Sequence, residues 1–286
     1  MVALNVTVLD GTRLVGGLCR EDFQVFEDGV QQQVTFFESR SVPMDIILLL
    51  DTSSSMGDKM ETVHRAARGF MKILRPEDRG AVVAFADSVN VVQPLSYDVR
   101  AIEAAIEGTQ AQGSTSLHNA IYIALKQFGR AAKSDGDVRR QAIAVLSDGE
   151  DTASLLSFDD VLALARKTGM NIYTIGLQSV SAQLRARDPG GNFSSQSDYS
   201  LKALAQETGA KSYFPKNVTE LKSVYDSIAS ELSSQYSIGY SPSNPLPDGR
   251  FRRIAVRVST NPALKPRARS GYTADAPVRS GPPHQR

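Results

Sequence analysis

The chain has little cysteine, no tryptophan and no long apolar run. Cys19 is the only cysteine among 286 residues, which excludes an internal disulfide and a metal site built on several cysteines. The apolar runs are short, such as residues 46–50, whereas a membrane-spanning helix needs about 20 apolar residues, so we expect no membrane span. The formal net charge is +1, and no basic cluster occurs before the last fifty residues. We therefore expect no nucleic-acid binding, which depends on basic clusters that neutralise phosphates.

The start of the chain does not have the pattern of a signal peptide. The segment MVALNVTVLDGTRLVGG alternates apolar and polar residues and lacks a basic head followed by an apolar core. This alternation predicts a β-strand. The composition, with 41% hydrophobic and 22% charged residues, is typical of an ordinary globular protein. The residues by themselves leave open whether the protein is cytoplasmic or exported.

Apolar periodicity divides the chain into parts of different character. The first forty residues alternate with period two, and Asp28-Gly29 is a strong signal for a two-residue hairpin. Apolar strands then alternate with helical patterns, as in an α/β domain, before the chain becomes strand-like again. We predict an α/β domain inserted into a small β domain whose halves come from the two ends of the chain. The predicted parts are 1–42 (first half of the β domain), 43–235 (α/β domain), 236–275 (second half of the β domain) and 276–286 (flexible tail).

Oxygen-bearing side chains follow the apolar strands at three places. The strand MDIILLLD continues into DTSSS, in which Asp51, Ser53 and Ser55 occupy every second position. Thr115 lies in the loop GSTS just before a helical pattern, and Asp148 follows the strand QAIAVLS. Ligands of open α/β sheets bind at the carboxyl ends of the strands. Carboxylate and hydroxyl oxygens suit Mg²⁺, Mn²⁺ or Ca²⁺ rather than zinc, so this set predicts a site for a hard divalent cation.

The charge of this donor set indicates how the cation would be used. Two carboxylates cancel the charge of a divalent ion, and the hydroxyl groups add ligands without adding charge. An ion held in this way stays electrophilic and keeps a position for water or for a carboxylate from another molecule. A storage site would use three or four acids instead.

The same residues carry a resemblance to a known family. Asp-x-Ser-x-Ser after an apolar strand, a Thr in a Gly-Ser-Thr loop and Asp-Gly after the next long strand resemble the metal-ion-dependent adhesion site (MIDAS) of the von Willebrand factor type A (vWA) domain. The resemblance covers about residues 43–235. It implies that the metal-site positions, none of which departs from the pattern, are Asp51, Ser53, Ser55, Thr115 and Asp148.

The resemblance also implies a fold and a function. The implied fold is Rossmann-like and doubly wound, a mostly parallel sheet with one antiparallel edge strand. This agrees with the antiparallel strand pair that we expect on either side of Asp87-Ser88. The implied function is Mg²⁺-dependent protein recognition or adhesion without enzymatic activity, in which an Asp or Glu of the partner protein completes the coordination of the metal.

The segments that flank the vWA-like region carry a second resemblance. GLCREDFQVFEDGVQQQVTFF before it and YSIGYSPSNPLPDGRFRRIAVRVS after it resemble the flanks of a bacterial vWA-related family known from acidobacterial genomes. Those proteins typically carry export signals. The resemblance therefore implies an exported protein, located in the periplasm, secreted or at the cell surface.

Each of the predicted ligands also has a purely structural interpretation. Taken singly, Ser53 or Ser55 is more often a helix N-cap than a ligand, and Asp51 and Thr115 could be caps as well. Asp148, which precedes a glycine, could be a turn residue. The metal site is favoured because all the positions occur together, at the ends of the appropriate strands and in the appropriate order.

Two further functions could use the same residues. Asp51 could be a phospho-acceptor beside Mg²⁺ in a phosphoryl-transfer domain. Such sites need a second acid and a lysine for the phosphate, and Lys59 is the only nearby lysine. A serine hydrolase is disfavoured because no Gly-x-Ser-x-Gly motif occurs. Alternatively, the metal would only order the loops of a structural domain in a surface or secreted assembly.

The surroundings of the predicted site have simpler interpretations. Asp58 and Glu61 are expected to cap the helix that follows DTSSSMG. His118 follows Thr115 by three residues and could lie near the metal, although an exposed helix surface is favoured. Asp151 lies close enough to the site to affect its electric field, although a solvated loop is favoured. The segment 178–197 lacks periodicity and is predicted to be a long loop.

Overall fold

A computed structural model describes residues 1–39, 42–134, 139–148, 151–177 and 196–274. The tail predicted at 276–286 and most of the loop predicted at 178–197 lie outside the described residues. Both therefore stay predictions.

The central sheet of the described part is mostly parallel. Its strands are β6 (Met44–Asp51), β7 (Arg79–Phe85), β8 (Val89–Ser96), β9 (Arg140–Ser147), β10 (Asn171–Gly176) and β11 (Ser212–Tyr213). Their spatial order is β11-β10-β9-β6-β7-β8, and every neighbouring pair is parallel except β7 and β8. The expected antiparallel strand at the edge of a mostly parallel sheet is confirmed.

The central strand β6 is apolar because both of its faces are covered. Ile46, Leu48 and Leu50 belong to the core on one face of the sheet, and Ile47 and Leu49 belong to the core on the other face. All five are fully buried. A strand buried on both faces has a continuous apolar sequence rather than an alternating one.

Helices cover both faces of this sheet. The α-helices of the described part are α1 (Met60–Met71), α2 (Val99–Glu107), α3 (Leu117–Ser134), α4 (Phe158–Thr168), α5 (Gln196–Glu207) and α6 (Leu221–Ser234). Residues of α1, α2 and α6 pack in one core, and residues of α3, α4 and α5 pack in the other. Within the described ranges, no helix combines the length and the apolar character needed to cross a membrane.

Helix α1 begins differently from the prediction. A 3₁₀ turn over Ser54–Lys59 joins β6 to α1, and Lys59 is the N-cap residue without a side-chain cap hydrogen bond. The predicted cap by Asp58 and Glu61 is therefore wrong. The 3₁₀ turn places Asp58 before the N-cap residue, where its carboxylate does not serve the first turn of α1.

Two antiparallel sheets combine strands from both ends of the chain. Their strands are β1 (Val2–Asp10), β2 (Arg13–Leu14), β3 (Phe23–Glu27), β4 (Val30–Gln32), β5 (Val34–Glu38), β12 (Tyr236–Tyr240), β13 (Phe251–Val258), β14 (Lys265–Arg267) and β15 (Gly271–Thr273). The first sheet has the order β14-β1-β12-β5, with β2 paired to β1, and the second has the order β15-β13-β3-β4. One apolar core contains residues of both sheets.

The strand pairing in these sheets agrees with the predicted hairpin and with the predicted pairing of the chain ends. Asp28 and Gly29 have φ angles of 48° and 85° and form a two-residue hairpin turn between the paired Glu27 and Val30. Val2 of the first strand pairs with Tyr240 near the other end of the chain. Strands of the two chain ends therefore pair, as expected. That they form a domain of their own, and the domain boundaries, stay predictions.

Candidate functional site

The candidate site lies where two neighbouring parallel strands end. Strands β6 and β9 are paired from Met44 and Arg140 to Leu50 and Leu146, so their carboxyl ends meet at the same edge of the sheet. The Ser147 hydroxyl of β9 donates a hydrogen bond to the Asp51 carboxylate of β6 at 2.5 Å. This pairing brings Asp51 and Asp148 to the same place although they are 97 positions apart in the sequence.

Asp51 is a buried carboxylate without a cationic partner among the described residues. It is fully buried, and it accepts hydrogen bonds from the Ser53 N–H at 2.9 Å and from the Ser147 hydroxyl. Burial raises the pKa of the Asp51 carboxyl, the hydrogen bonds from Ser147 and Ser53 oppose this rise, and the nearby charge of Asp148 adds to it. A carboxylate that is buried without a counter-ion is an unfavourable arrangement that a bound cation would relieve.

A chain of hydrogen bonds connects the predicted ligands that follow strand β6 to Asp148. The Ser53 and Ser55 hydroxyl oxygens are 3.1 Å apart, and the Ser55 hydroxyl donates to Asp148 Oδ1 at 2.8 Å. Ser53 has an extended backbone, with φ −67° and ψ 162°, immediately before the 3₁₀ turn. The structure therefore brings Asp51, Ser53, Ser55 and Asp148 together.

Thr115 lies beside this group but is not hydrogen-bonded to it in the described part of the chain. Its side chain is buried, and its carbonyl oxygen accepts from the N–H groups of Thr152 and Ala153 at 2.9 and 3.0 Å. Its own N–H donates to the Thr152 hydroxyl at 3.2 Å. A further hydrogen bond, from Ser54 N–H to the Gly113 carbonyl at 3.0 Å, joins the Thr115 loop to the serine loop. The backbone thus holds Thr115 between the loops that follow β6 and β9.

Asp87 positions the Thr115 loop, a role that the sequence analysis did not identify. Its carboxylate accepts the Ser114 N–H at 2.7 Å. Gly113 has a φ of 76°, and a Cβ atom there would lie 2.6 Å from Asp87 Cγ, so this contact requires a glycine. The available sequence signal was the position of Asp87 just after the end of strand β7, combined with the glycine two residues before Thr115.

Asp151 and His118 also differ from their predicted surroundings. Asp151 accepts hydrogen bonds from the His118 N–H at 2.7 Å and from the Ser154 N–H at 2.9 Å. The imidazole Nδ1 of His118 lies 3.4 Å from the same carboxylate, and both side chains are largely buried. The interpretations of an exposed His118 and a solvated Asp151 are therefore wrong. Asp151 instead ties the loop after β9 to the start of α3, next to Thr115.

Lys59 also contacts the candidate site, a role that the sequence did not indicate. It was considered only as a phosphate-binding lysine near Asp51. Its ammonium group forms an ion pair with Asp148 Oδ2 and donates to the Ser55 carbonyl oxygen at 3.0 Å. The side chain of Asp148 is fully buried, and that of Lys59 is 19% exposed.

The donor set fits a hard divalent cation. It consists of two carboxylates and of neutral hydroxyl groups, all oxygen ligands of the kind that Mg²⁺, Mn²⁺ and Ca²⁺ prefer. Among the residues that the structure describes, no group of three or more His, Cys, Asp or Glu side chains could hold a metal ion. The candidate site is therefore one in which hydroxyl groups replace some of the acidic ligands.

Comparisons with known proteins agree with this architecture. An uncharacterized protein of Synechocystis sp. is 36% identical over 116 residues, which cover 39% of this chain and 26% of that protein. The structure of a von Willebrand factor type A protein from Catenulispora acidiphila has a TM-score of 0.57 at 15% identity and covers 89% of this chain and 63% of that one. The structure of proximal thread matrix protein 1 from the mussel byssus, described as having a zinc-occupied MIDAS motif, has a TM-score of 0.54 at 18% identity over 72% of this chain and 49% of that one.

The chain spans less than two thirds of the length of the first curated relatives that it matches. The family model described as "von Willebrand factor type A domain" matches residues 45–227, which is more than half of the chain. This range contains the central sheet except Met44, the first residue of β6, and every residue of the candidate site. The chain belongs to the von Willebrand factor type A domain family.

Proposed function

We propose that this protein is a non-enzymatic, Mg²⁺-dependent protein-recognition module. Its metal would be held by Asp51, Ser53, Ser55, Thr115 and Asp148. The partner protein would supply an Asp or Glu carboxylate that completes the coordination. The observation that carries the proposal is the buried Asp51, which lacks a cation among the described residues and is linked through hydroxyl groups to Asp148.

The balance of charge supports an ion that is shared rather than stored. Two carboxylates would neutralise a divalent cation, and the three hydroxyl groups would leave it electrophilic. When bound, Mg²⁺ would supply a positive centre that accepts an oxygen ligand from another molecule. Mn²⁺ or Ca²⁺ could replace it, because each prefers the same oxygen ligands.

The family membership supports recognition as the function, since vWA domains mediate protein–protein interactions. The zinc-occupied MIDAS motif of the mussel byssus protein is an instance of a divalent cation held on this fold. A single charge-assisted contact to a metal gives modest affinity unless surrounding surface is also buried. We therefore infer that the partner also contacts the rim formed by the loops after β6 and β9.

The phosphoryl-transfer alternative receives less support from the contacts. Asp51 is fully buried, and Lys59 pairs with Asp148 instead of being available for a phosphate. The structural alternative, in which the metal only orders loops, uses the same ligands. Removal of the metal with EDTA separates this alternative from recognition.

The cellular location and the role of the terminal sheets belong to the same proposal. We infer that the protein is exported, because its flanking segments resemble those of the acidobacterial vWA-related family. We also infer that the two antiparallel sheets form a small β domain that carries the vWA domain. Strand pairing between the two ends of the chain supports this arrangement.

Calorimetric titration of EDTA-treated protein with MgCl₂ tests the metal site. We expect binding by the wild type, a loss of affinity of about ten-fold or more in Ser53→Ala, and no binding by Asp148→Ala. Ser54→Ala is the matched control, since the Ser54 backbone N–H makes the contact to the Gly113 carbonyl and the substitution leaves that N–H intact. Wild-type protein that binds neither Mg²⁺ nor Mn²⁺ would disprove the proposal.

Removal of the metal separates recognition from a structural role. EDTA is expected to abolish capture of the partner in a pull-down and to change the melting temperature little, because the buried apolar sheet provides most of the stability. A partner that is still captured in EDTA would contradict the recognition mechanism. A large fall in melting temperature on metal removal would favour the structural alternative.

A further inference from the structure

A cationic side chain of the protein itself contacts the candidate metal site. The Lys59 ammonium is paired with Asp148 Oδ2 and donates to the carbonyl oxygen of Ser55. Asp148 Oδ1 meanwhile accepts the hydroxyl of Ser55 at 2.8 Å. Both oxygens of this buried carboxylate are thus occupied by groups of the chain.

This arrangement neutralises one of the two acids at the site. The Ser53 N–H and the hydroxyl groups of Ser53 and Ser55 link the carboxylates of Asp51 and Asp148. With Lys59 in place, the three side chains carry a net charge of −1. A divalent ion added without displacing Lys59 would make the site positive and would stand beside an ammonium group, which repels it.

The Lys59 ammonium group is able to move away from Asp148 without a change of fold. It is the last residue of the 3₁₀ turn that precedes α1, and its side chain is partly exposed. The four-carbon stem of a lysine is flexible, and its ammonium group is well hydrated when it reaches water. Rotation about the side-chain bonds is therefore sufficient to free the Asp148 carboxylate.

We propose that Lys59 is a tethered counter-ion that competes with the metal for Asp148, so that metal binding is an exchange of one cation for another. This inference rests on the proposed metal site. Lys59 stabilises the metal-free arrangement of the two acids and weakens the affinity for the metal. It is a residue that tunes the site rather than a ligand.

The test compares Mn²⁺ binding by wild-type protein and by Lys59→Met after treatment with EDTA. Met keeps an unbranched side chain as long as the four-carbon stem of lysine and removes the charged end. We expect Lys59→Met to bind Mn²⁺ at least about ten-fold more tightly in calorimetry. The melting temperature of the metal-free variant should fall, and that of the metal-saturated variant should equal the wild-type value. If Lys59→Met does not fold, Lys59→Gln takes its place with the same expectations.

The matched control is Lys72→Met. Lys72 pairs with Glu103 at 3.5 Å on the surface and lies about 20 Å along the helix axis from Lys59, so its removal changes the net charge equally without touching the site. Its Mn²⁺ affinity should be that of the wild type. In the Asp148→Ala background, Lys59→Met should no longer lower the melting temperature of the metal-free protein, because the ion pair is already absent.

The outcomes separate this inference from the proposed function. If wild type and Lys59→Met bind Mn²⁺ equally, or if the variant binds more weakly, the competition is disproved while the metal site stands. If neither binds Mn²⁺, the metal site and the competition both fail. An unchanged or raised melting temperature of the metal-free variant would disprove the role of Lys59 as a counter-ion.

Discussion

Two buried aspartates near the ends of strand β6 have different surroundings. Asp45, near the start of the strand, accepts hydrogen bonds at 2.8 Å from the guanidinium groups of Arg79 and Arg139. Asp51, at the end of the strand, has only uncharged hydrogen-bond partners among the described residues. Both are fully buried. Strand β6 thus carries one carboxylate, that of Asp45, which arginines of the chain neutralise. The counter-charge of the other carboxylate, that of Asp51, would come from a bound cation.

Asp78 shows what full pairing does to a carboxyl group. Its side chain accepts hydrogen bonds from the Arg75 guanidinium, from the Arg75 N–H and from the Met44 N–H, each at 2.9 Å. Burial by itself would raise the pKa of the Asp78 carboxyl, but these hydrogen bonds outweigh burial and lower the pKa below its usual value. A lowered pKa contributes stability above the unfolded-state pKa of about 3.9, and this contribution is lost as the pH falls through the folded-state value.

We therefore expect Asp78→Asn to lower the free energy of unfolding by about 2 kcal/mol at pH 7. The difference from the wild type should shrink as the pH falls below about 3.9, because the carboxyl of the unfolded chain takes up a proton there before that of the folded protein does. Urea unfolding at both pH values measures this. Asp226→Asn is the control, because its pair with Lys222 is exposed and should be worth less than about 1 kcal/mol. If the difference in unfolding free energy between wild type and Asp78→Asn does not vary with pH, the ionised Asp78 carboxylate is not the source of this stability.

At the scale of elements, the apolar patterns predicted the strands and helices well. The start of α1 was the exception, because the segment after β6 forms a 3₁₀ turn and leaves Asp58 outside the first turn of the helix. The sequence pattern predicted a cap from residue spacing alone. Which residue actually becomes the N-cap depends on how the serine loop packs against the Gly113 loop.

The loop between α2 and α3 depends on one glycine. We expect Gly113→Ala to lower the free energy of unfolding by at least about 1–2 kcal/mol, because the left-handed backbone disfavours alanine and the new Cβ would overlap the Asp87 carboxylate. Displacement of Asp87 would release the Ser114 N–H and should weaken Mn²⁺ binding through Thr115. Thermal unfolding and calorimetry measure the two effects.

Gly69→Ala is the matched control for this substitution. Gly69 is exposed in the last turn of α1, and nothing lies within 4 Å of a Cβ atom added there. Alanine at this position should raise the stability by about 0.5–1 kcal/mol, since glycine is a poor helix former. Equal effects of the two substitutions would show that the backbone conformation of Gly113 is not required.

At the scale of the whole molecule, a buried polar network joins the central sheet to the terminal strands. The Glu231 carboxylate of α6 accepts the Tyr173 hydroxyl of β10 at 2.7 Å and forms an ion pair with Arg267 of β14. The Thr7 hydroxyl of β1 lies 3.4 Å from the same oxygen. Burial and the nearby Glu231 raise the pKa of the Tyr173 hydroxyl, which therefore stays a hydrogen-bond donor.

We expect Glu231→Gln to lower the free energy of unfolding by about 2–4 kcal/mol, because it leaves Arg267 without its acidic partner. Mn²⁺ affinity of the folded protein should not change, since this network contains none of the candidate ligands. Urea unfolding and calorimetry measure the two quantities. Glu61→Gln, which breaks only an exposed pair with Arg65, is the control. A changed metal affinity in Glu231→Gln would show that the network and the metal site are coupled.

The sequence by itself determined the order of the elements and the chemistry of the five predicted metal ligands. Both are local properties: a strand buried on two faces must be apolar, and its end is marked where polar oxygen-bearing side chains begin. The pairing of the two chain ends was also predictable, because strand-like segments occur at both ends with the alternating α/β pattern between them.

Only the tertiary structure decided which carboxylate receives a counter-charge. The side chain of Lys59 reaches Asp148 because β6 and β9 are neighbours, and 89 residues separate the two positions in the chain. The roles of Asp87 and Ser147 likewise arise from contacts with residues that are 27 and 96 positions away in the sequence. A sequence pattern specifies which groups can ionise or bind, but the distance between two such groups is set by strand pairing, and electrostatic interaction depends on that distance.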